Sequence, residues 1–139
     1  MISRKAGKSI SDIFAEDGEE AFRQLETEIL EECAGKSDQV ISTGGGIVTQ
    51  EKNHPILRQA GYVIWLKASP EIIFDRVKRN KNRPLLQVDD PLKTIHGMLA
   101  ERSDHYEAVQ DLGINTDKLT LDEILFGIVE SARVALQLS

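Results

Sequence analysis

Three consecutive glycines, Gly44, Gly45 and Gly46, follow a short apolar segment at residues 40–42 and are the strongest chemical signal in the sequence. Because glycine has no Cβ, such a run lets backbone N–H groups approach a bound ligand closely. Residues 40–42 are predicted to form a buried strand, and α/β proteins bind ligands at the carboxyl ends of such strands. A flexible turn explains the glycines equally well, so the run alone leaves both interpretations open.

Arg23 and Glu26 are three positions apart on a predicted helix, so their side chains are neighbours on its surface. An arginine held by a carboxylate can grip a carboxylate or hydroxyl ligand with its planar fork. Spacing alone favours an exposed ion pair, which is worth less than about 1 kcal/mol. The same holds for Arg83, in a basic turn, and Arg102, in a later helix. Each of them, taken singly, is expected to be a solvated cation.

The run Ala6-Gly7-Lys8-Ser9 resembles the end of a phosphate-binding P-loop, G-x-x-x-x-G-K-[ST]. That pattern requires a glycine where this sequence has Ile2. It also requires a preceding strand, for which the six residues before Gly7 leave no room. The run is therefore not predicted to cradle phosphate.

Composition limits the class of protein. The 139 residues are 40% hydrophobic and 29% charged, which is typical of a single soluble globular domain. A net charge of -6 argues against a nonspecific nucleic-acid binder, although it permits a small phosphorylated ligand. The single cysteine, Cys33, excludes an internal disulfide and is expected to act as a small buried or half-buried hydrophobe. The three histidines lack metal spacing, so no metal site is assigned. No apolar run is long enough to span a bilayer and no signal peptide is visible, so a cytoplasmic location without membrane binding is expected.

Strand and helix signals alternate along the chain. A helix is predicted at about residues 19–33, with an apolar stripe of Phe22, Leu25 and Ile29, and strands at residues 40–42, 61–66 and 112–115. This alternation predicts an α/β fold with a mainly parallel sheet.

Four signals mark the starts of helices. They are the Ser9-x-x-Asp12 and Thr120-x-x-Glu123 capping boxes and the Ser69-Pro70 and Asp90-Pro91 pairs. The basic segment that begins at residue 79 lies between the two proline-marked helices and contains a proline that disfavours helix. It is predicted to form a lid at about residues 79–90.

Taken together, these motifs resemble shikimate kinase, and the resemblance extends from near Gly7 to the C-terminus. The matching residues are, in order, Gly7, Ile10, Ile13-Phe14-Ala15-Glu16, Gly18-Glu19, Phe22-Arg23, Glu26, Ser42-Thr43-Gly44-Gly45-Gly46, Arg83-Pro84-Leu85-Leu86, Glu101-Arg102, Tyr106 and Asn115-Thr116-Asp117. The family phosphorylates the 3-hydroxyl of shikimate with MgATP, a step in making chorismate and aromatic amino acids. The resemblance therefore implies shikimate and ATP as ligands and ATP and Mg²⁺ as cofactors.

The resemblance also implies a role for each matching site residue. For the substrate, Arg23 and Arg102 would bind the shikimate carboxylate and Glu26 would orient Arg23. Gly44, Gly45 and Gly46 would line the shikimate hydroxyls. For the nucleotide, Arg83 on the lid would reach the transferring phosphoryl group, Arg76 would lie over the adenine, and Thr116 in the loop 115–120 would border it. These roles suit the chemistry, since phosphoryl transfer depends on positioning and charge neutralisation.

The implied fold is a three-layer α/β/α, P-loop-kinase-like parallel sheet forming one domain over residues 1–139. Family members begin with a strand, a P-loop, a helix and a second strand that ends in Asp-x-Asp, all before the position of Gly7, and these segments are not in the sequence. The chain is therefore expected to be a truncated member that supplies the equivalents of strands 3, 4 and 5. Its exposed sheet edges are expected to favour self-association or domain swapping.

Three functions stay open at this stage. The chain is a shikimate kinase, a degenerate noncatalytic protein that binds shikimate or a partner, or another small-molecule kinase such as a gluconate kinase. The pair Arg23 and Arg102, together with the triple glycine, favours shikimate over gluconate. The missing P-loop makes activity of this chain alone doubtful.

Overall fold

A computed structural model describes residues 1–78 and 88–138 of the chain. Arg83 and most of the predicted lid, about residues 79–90, lie outside these ranges. The helices and strands are, in chain order, α1 (Ile2–Ala6), α2 (Ile10–Asp12), α3 (Gly18–Ala34), α4 (Asn53–Ala60), β1 (Ile64–Lys67), α5 (Pro70–Val77), α6 (Pro91–Val109), β2 (Leu112–Asn115) and α7 (Leu121–Ala135). The chain divides into two compact units, Met1–Gly61 and the described residues from Tyr62 onward.

The first unit is built around α3. Ser9 caps α2 as predicted, because its side chain accepts a hydrogen bond from the Asp12 backbone at 3.1 Å. A π-helical turn, Ile13–Asp17, then leads to Gly18, whose φ of 87° lies in the left-handed region and turns the chain into α3. The start of α3 carries Glu19 and Glu20, which suit the positive end of the helix dipole.

The predicted apolar stripe of α3 is only partly right. Phe22 is buried, but Leu25 and Ile29 are half-exposed. The buried face instead includes two charged side chains, Arg23 and Glu26. The spacing of apolar residues did not predict this buried face, because charged side chains of opposite sign can be buried when they pair with each other.

The predicted strand at residues 40–42 is wrong. These residues form no strand, and Val40 is fully exposed. The chain continues without regular structure to a 3₁₀ turn, Gly45–Thr49. A strand needs a neighbour that pairs with its backbone N–H and C=O groups, and the part of this unit that the structure describes contains no neighbouring strand.

The second unit contains a parallel pair of strands joined through α5 and α6. β1 and β2 pair in register from Ile64 opposite Leu112 to Lys67 opposite Asn115. The predicted β2 is confirmed, whereas β1 begins three residues later than the apolar run at 61–66, because only residues alongside β2 are paired. A parallel sheet within an α/β fold is thus confirmed, and two strands of it lie within the described residues.

The predicted helix starts of the second unit are confirmed. The side chains of Ser69 and Asp90 cap α5 and α6, and each helix begins with a proline. Thr120 and Glu123 form the predicted reciprocal capping box of α7. Within the described ranges, no helix is both long and apolar enough to span a membrane.

Candidate functional site

The guanidinium of Arg23 is held between two carboxylates on the same helix. Its Nη1 donates to Glu26 Oε2 at 2.6 Å, and its Nη2 donates to Glu19 Oε1 at 3.1 Å. The side chains of Arg23 and Glu26 are 9% and 4% exposed, whereas that of Glu19 is 58% exposed. The exposed ion pair expected from spacing alone is therefore wrong, because this pair is buried against the rest of its unit.

Burial and pairing act on Arg23 in opposite directions. Burial of the guanidinium lowers its pKa, but the hydrogen bonds that it donates to Glu26, and then to Glu19, together with the attraction of their charges, outweigh burial and leave the pKa raised. Arg23 therefore keeps its positive charge in the interior. A fixed, desolvated guanidinium is well suited to bind an anion by two parallel hydrogen bonds.

The glycine run contacts this pair directly. A Cβ on Gly46 would lie 2.3 Å from Arg23 Nη1, and a Cβ on Gly44 would lie 3.0 Å from Glu26 Oε1. The first distance is far shorter than any tolerated contact, so the guanidinium occupies the space that a side chain at 46 would need. The structure thus brings Arg23, Glu26, Gly44 and Gly46 together, with Gly45 between the two glycines.

Residues that the sequence did not single out hold the glycine run in place. Thr49 Oγ1 donates to the Gly46 carbonyl at 2.7 Å, and Asn53 Nδ2 donates to the Ile47 carbonyl at 2.9 Å. Asn53 is completely buried, and His54 Nε2 lies 2.7 Å from the Val48 carbonyl. Nothing in their types or spacing distinguished these side chains from ordinary surface residues at the start of a helix.

A cavity of about 220 Å³ lies beside this cluster, inside the first unit. Glu26 and Gly44 line part of it, together with apolar side chains that include Ile29, Leu30 and Cys33. Cys33 is buried, as predicted from its type. Among the lining residues, only Glu26 has an acidic or basic side chain, and Arg23 does not line the cavity. The cavity itself therefore does not offer an anion site.

In the second unit, Arg76 and Thr116 meet at the carboxyl ends of the two strands. Arg76 donates from Nη1 to Thr116 Oγ1 at 2.9 Å and from Nη2 to the Thr116 carbonyl at 3.0 Å. Thr116 is buried, and its hydroxyl also donates to the carbonyl of Lys67, the last residue of β1, at 2.9 Å. Ligands of open parallel sheets bind at this edge.

Arg102, on α6 in the same unit, has a buried Nε atom with no hydrogen-bond partner among the described residues. A buried donor without an acceptor is costly, and an anionic ligand would satisfy it. Tyr106, one helical turn further on, packs against Trp65 with ring centroids 5.1 Å apart. Arg102 belongs to the second unit and Arg23 to the first.

The Gly7-Lys8-Ser9 run does not form a phosphate cradle. Gly7 ends α1 with a φ of 70°, and Lys8 Nζ pairs with Asp17 at 2.5 Å and with Glu16 at 2.8 Å. Hydrogen bonds that Lys8 donates to Asp17, and then to Glu16, raise the pKa of Lys8. The same four residue types, Ala-Gly-Lys-Ser, recur at residues 34–37. There Gly35 follows the C-terminal end of α3, whose partial negative charge repels phosphate.

Comparison with known proteins gives one consistent result. A family model described as shikimate kinase matches residues 1–133. The shikimate kinase of Symbiobacterium thermophilum is 39% identical over 132 residues, covering 94% of this chain and 76% of the relative. That of Pelotomaculum thermopropionicum is 40% identical over 128 residues, covering 92% of this chain and 74% of the relative.

Solved structures agree with the sequence relatives. The shikimate kinase from Acinetobacter baumannii in complex with shikimate has a TM-score of 0.89 and 35% identity, covering 99% of this chain and 76% of that chain. The Aquifex aeolicus shikimate kinase has a TM-score of 0.76 and 30% identity, covering 97% of this chain and 79% of that chain. The predicted P-loop-kinase-like α/β fold is thereby confirmed, and the chain belongs to the shikimate kinase family, whose members are ATP-dependent kinases.

Proposed function

We propose that this chain acts in the MgATP-dependent phosphorylation of the 3-hydroxyl of shikimate. The observation that carries the proposal is the buried Arg23 guanidinium, which Glu26 holds against the glycine at 46. Shikimate is a carboxylate with three hydroxyls, so a fixed guanidinium beside the glycine backbone at residues 44–46 suits both of its polar features. Membership of the shikimate kinase family supports the same substrate.

Arg23 would bind the shikimate carboxylate by exchanging one of its two partners. Glu26 is almost completely buried and would stay in place as the positioning residue. Glu19 is largely exposed and its contact is longer, so the substrate carboxylate would replace Glu19 on the guanidinium. The exchange keeps the charge around Arg23 constant and therefore costs little electrostatic energy.

The remaining substrate contacts follow from the family resemblance. Gly44, Gly45 and Gly46 would present backbone groups to the shikimate hydroxyls. Arg102, whose buried Nε has no partner among the described residues, would be a second cation for the carboxylate. Both assignments are part of the proposal.

The nucleotide contacts are proposed for the second unit and for the lid. Arg76 and Thr116, joined by two hydrogen bonds, would border the adenine, and Arg83 would reach the transferring phosphoryl group. The described residues do not fit the ATP phosphates, because Lys8 is already paired with two carboxylates. They also contain no cluster of three or more metal-ligating side chains for Mg²⁺. Under this proposal the described residues would supply nucleoside contacts and not phosphate or Mg²⁺ contacts.

The same observation favours a second candidate function. A chain that binds shikimate through Arg23 but lacks a phosphate cradle would be a noncatalytic shikimate-binding or partner-binding protein. Among the described residues, Lys8 is paired with two carboxylates and not open to a phosphate, which supports this alternative. The two candidates share the shikimate site and differ in phosphoryl transfer.

ADP release from MgATP separates the candidates. The purified chain would be assayed with shikimate, with gluconate and with no acceptor, after circular dichroism has shown that it is folded. The kinase predicts ADP release that depends on shikimate and not on gluconate. Absence of shikimate-dependent release, together with saturable shikimate binding by calorimetry, would support the noncatalytic candidate, and absence of both would overturn the proposed function.

The family also guides the proposals on location and partners. We propose a cytoplasmic protein that binds shikimate and ATP and not nucleic acid, since its net charge of -6 repels phosphate backbones. Self-association through the open edges of the β1–β2 pair is proposed as well. Backbone groups on the outer edges of a two-stranded sheet can pair with another strand.

A further inference from the structure

Three consecutive backbone carbonyls, from the last glycine of the run onward, each bind a side chain. They belong to residues 46–48 and lie in the 3₁₀ turn Gly45–Thr49. Thr49, Asn53 and His54 bind them in this order, at 2.7, 2.9 and 2.7 Å. These three side chains therefore fix the course of the turn.

The middle hydrogen bond of the three is the one that water cannot replace. The bond from Asn53 to the Ile47 carbonyl is buried, whereas the bonds of Thr49 and His54 are only partly buried. If either outer side chain were lost, water could bind the freed carbonyl at little cost. Loss of the Asn53 amide would instead leave a buried carbonyl without a donor, which is costly unless the turn moves. Asn53 therefore has the strongest hold on the position of the turn.

The side chain of Asn53 is polar although it is completely buried. Its Nδ2 atom donates to the Ile47 carbonyl, but its Oδ1 atom is buried with no hydrogen-bond partner among the described residues. Turning the amide around would place Oδ1 against another acceptor, so the orientation is fixed by this one bond. An apolar side chain of similar shape would avoid the cost of burying Oδ1. The donor at Nδ2 is therefore the feature that an apolar residue could not supply.

The turn that Asn53 holds is the surface on which Arg23 rests. The Arg23 guanidinium occupies the space that a Cβ on Gly46 would fill, and it donates to Glu26 at 2.6 Å. Because Ile47 follows Gly46 directly, a shift of the Ile47 carbonyl also moves the backbone beside the guanidinium.

We infer that Asn53 is a positioning residue for shikimate, which sets the affinity of the site by holding the glycine run and the Arg23 guanidinium against each other. The inference rests on the proposed function, because it concerns the same site. Asn53 acts through the turn and needs no contact with the substrate. A displacement of binding groups by about 1 Å is enough to impair a site, so loss of the donor should weaken shikimate binding at least about tenfold.

Calorimetric titration of shikimate into variants that circular dichroism shows to be folded tests the inference. Asn53→Leu keeps the branched shape of the side chain and removes its donor, so binding at least about tenfold weaker is expected. Leu57→Ala is the matched control, because it loosens the packing of the same helix and leaves the three carbonyl bonds in place. The control is expected to bind within about threefold of the wild type. Wild-type affinity of Asn53→Leu, or an equal loss in the control, would overturn the inference.

Asn53→Asp gives a second test if Asn53→Leu does not fold. The two side chains have the same shape, but an aspartate carboxylate only accepts hydrogen bonds, and its protonated form alone can donate to the Ile47 carbonyl. Burial raises the pKa of such a carboxyl, so binding relative to the wild type should be at least about tenfold weaker at about pH 8.5 and recover to within about threefold at about pH 5. The wild type titrated at each pH corrects for protonation of His54 and of the carboxylates around Arg23. A ratio that does not change with pH would overturn the inference.

The wild type separates this inference from the proposed function. A folded wild type that does not bind shikimate would overturn both. A wild type that binds shikimate, together with an Asn53→Leu variant that binds it equally well, would overturn the inference alone.

Discussion

Arg23 has two carboxylate partners that differ sharply in exposure, which separates a positioning role from a replaceable contact. Glu26→Gln removes the buried charge that fixes the guanidinium, so shikimate affinity is expected to fall about 10- to 100-fold. Glu19→Gln removes the competitor for the substrate carboxylate, so affinity is expected to stay constant or to rise a few-fold. Calorimetric titration measures both, and a larger loss for Glu19→Gln than for Glu26→Gln would contradict the proposed exchange.

Gly46 tests the contact between the glycine run and the arginine. A methyl group at this position would displace the Arg23 guanidinium from its place against Glu26, so Gly46→Ala should reduce shikimate binding at least about tenfold. Gly97→Ala is the control, since a Cβ at Gly97 meets nothing within 4 Å. In the interior of α6 it should preserve binding and stabilise the chain by about 0.5–1 kcal/mol. Equal binding by the two variants would exclude the proposed role of Gly46.

At the scale of single residues, the sequence identified the members of the site better than it predicted their burial and contacts. Arg23, Glu26 and the glycines were identified from their order and spacing, and the structure brings them together. Spacing could not show that the pair is buried, because burial depends on what packs over α3. The supporting roles of Thr49 and Asn53 were missed for the same reason, since both bind backbone carbonyls that only the folded turn presents.

The segment at residues 40–42 shows how an element depends on its neighbours. An apolar run before three glycines predicts a strand, yet without an adjacent strand among the described residues it forms none. Amides of residues 40–43 should therefore exchange with solvent quickly, whereas those of β2 should be protected. Hydrogen exchange with mass spectrometry measures both segments in one sample. Protection at 40–43 equal to that of β2 would show that this segment pairs in solution.

The capping box of α7 makes a pH-dependent contribution. Glu123 accepts hydrogen bonds from the backbone and then the hydroxyl of Thr120, which lowers its pKa below the ordinary value of 4.5. The ionised form is therefore favoured by folding, so its contribution is complete above pH 4.5 and is lost as the pH falls through the lower folded-state pKa.

Glu123→Gln is the variant that reports this contribution. Urea unfolding at neutral pH should show the wild type to be more stable than the variant, and the difference should shrink towards pH 3. A difference that is constant across this range would show that the charge on Glu123 plays no part in capping.

At the scale of the whole molecule, the sequence predicted the family and the fold class, but it did not predict correctly which segments form strands of the sheet. Local signals located β1, β2 and most helix starts, because caps and apolar runs act within a few residues. Which strands pair is decided by contacts between distant segments, and residues 40–42 illustrate the consequence. Arg23 and Arg102 lie in different units. Their joint role in binding one carboxylate is therefore proposed from the family resemblance.

The central claim is that shikimate binds through Arg23, and calorimetric titration of shikimate into the folded 139-residue chain tests it most directly. Saturable binding is predicted for the wild type. Arg23→Lys cannot form the paired hydrogen bonds and should bind at least about tenfold more weakly, while Arg4→Lys, an exposed control in α1, should bind like the wild type. A folded wild type that does not bind shikimate, or an Arg23→Lys variant that binds it equally well, would contradict the claim.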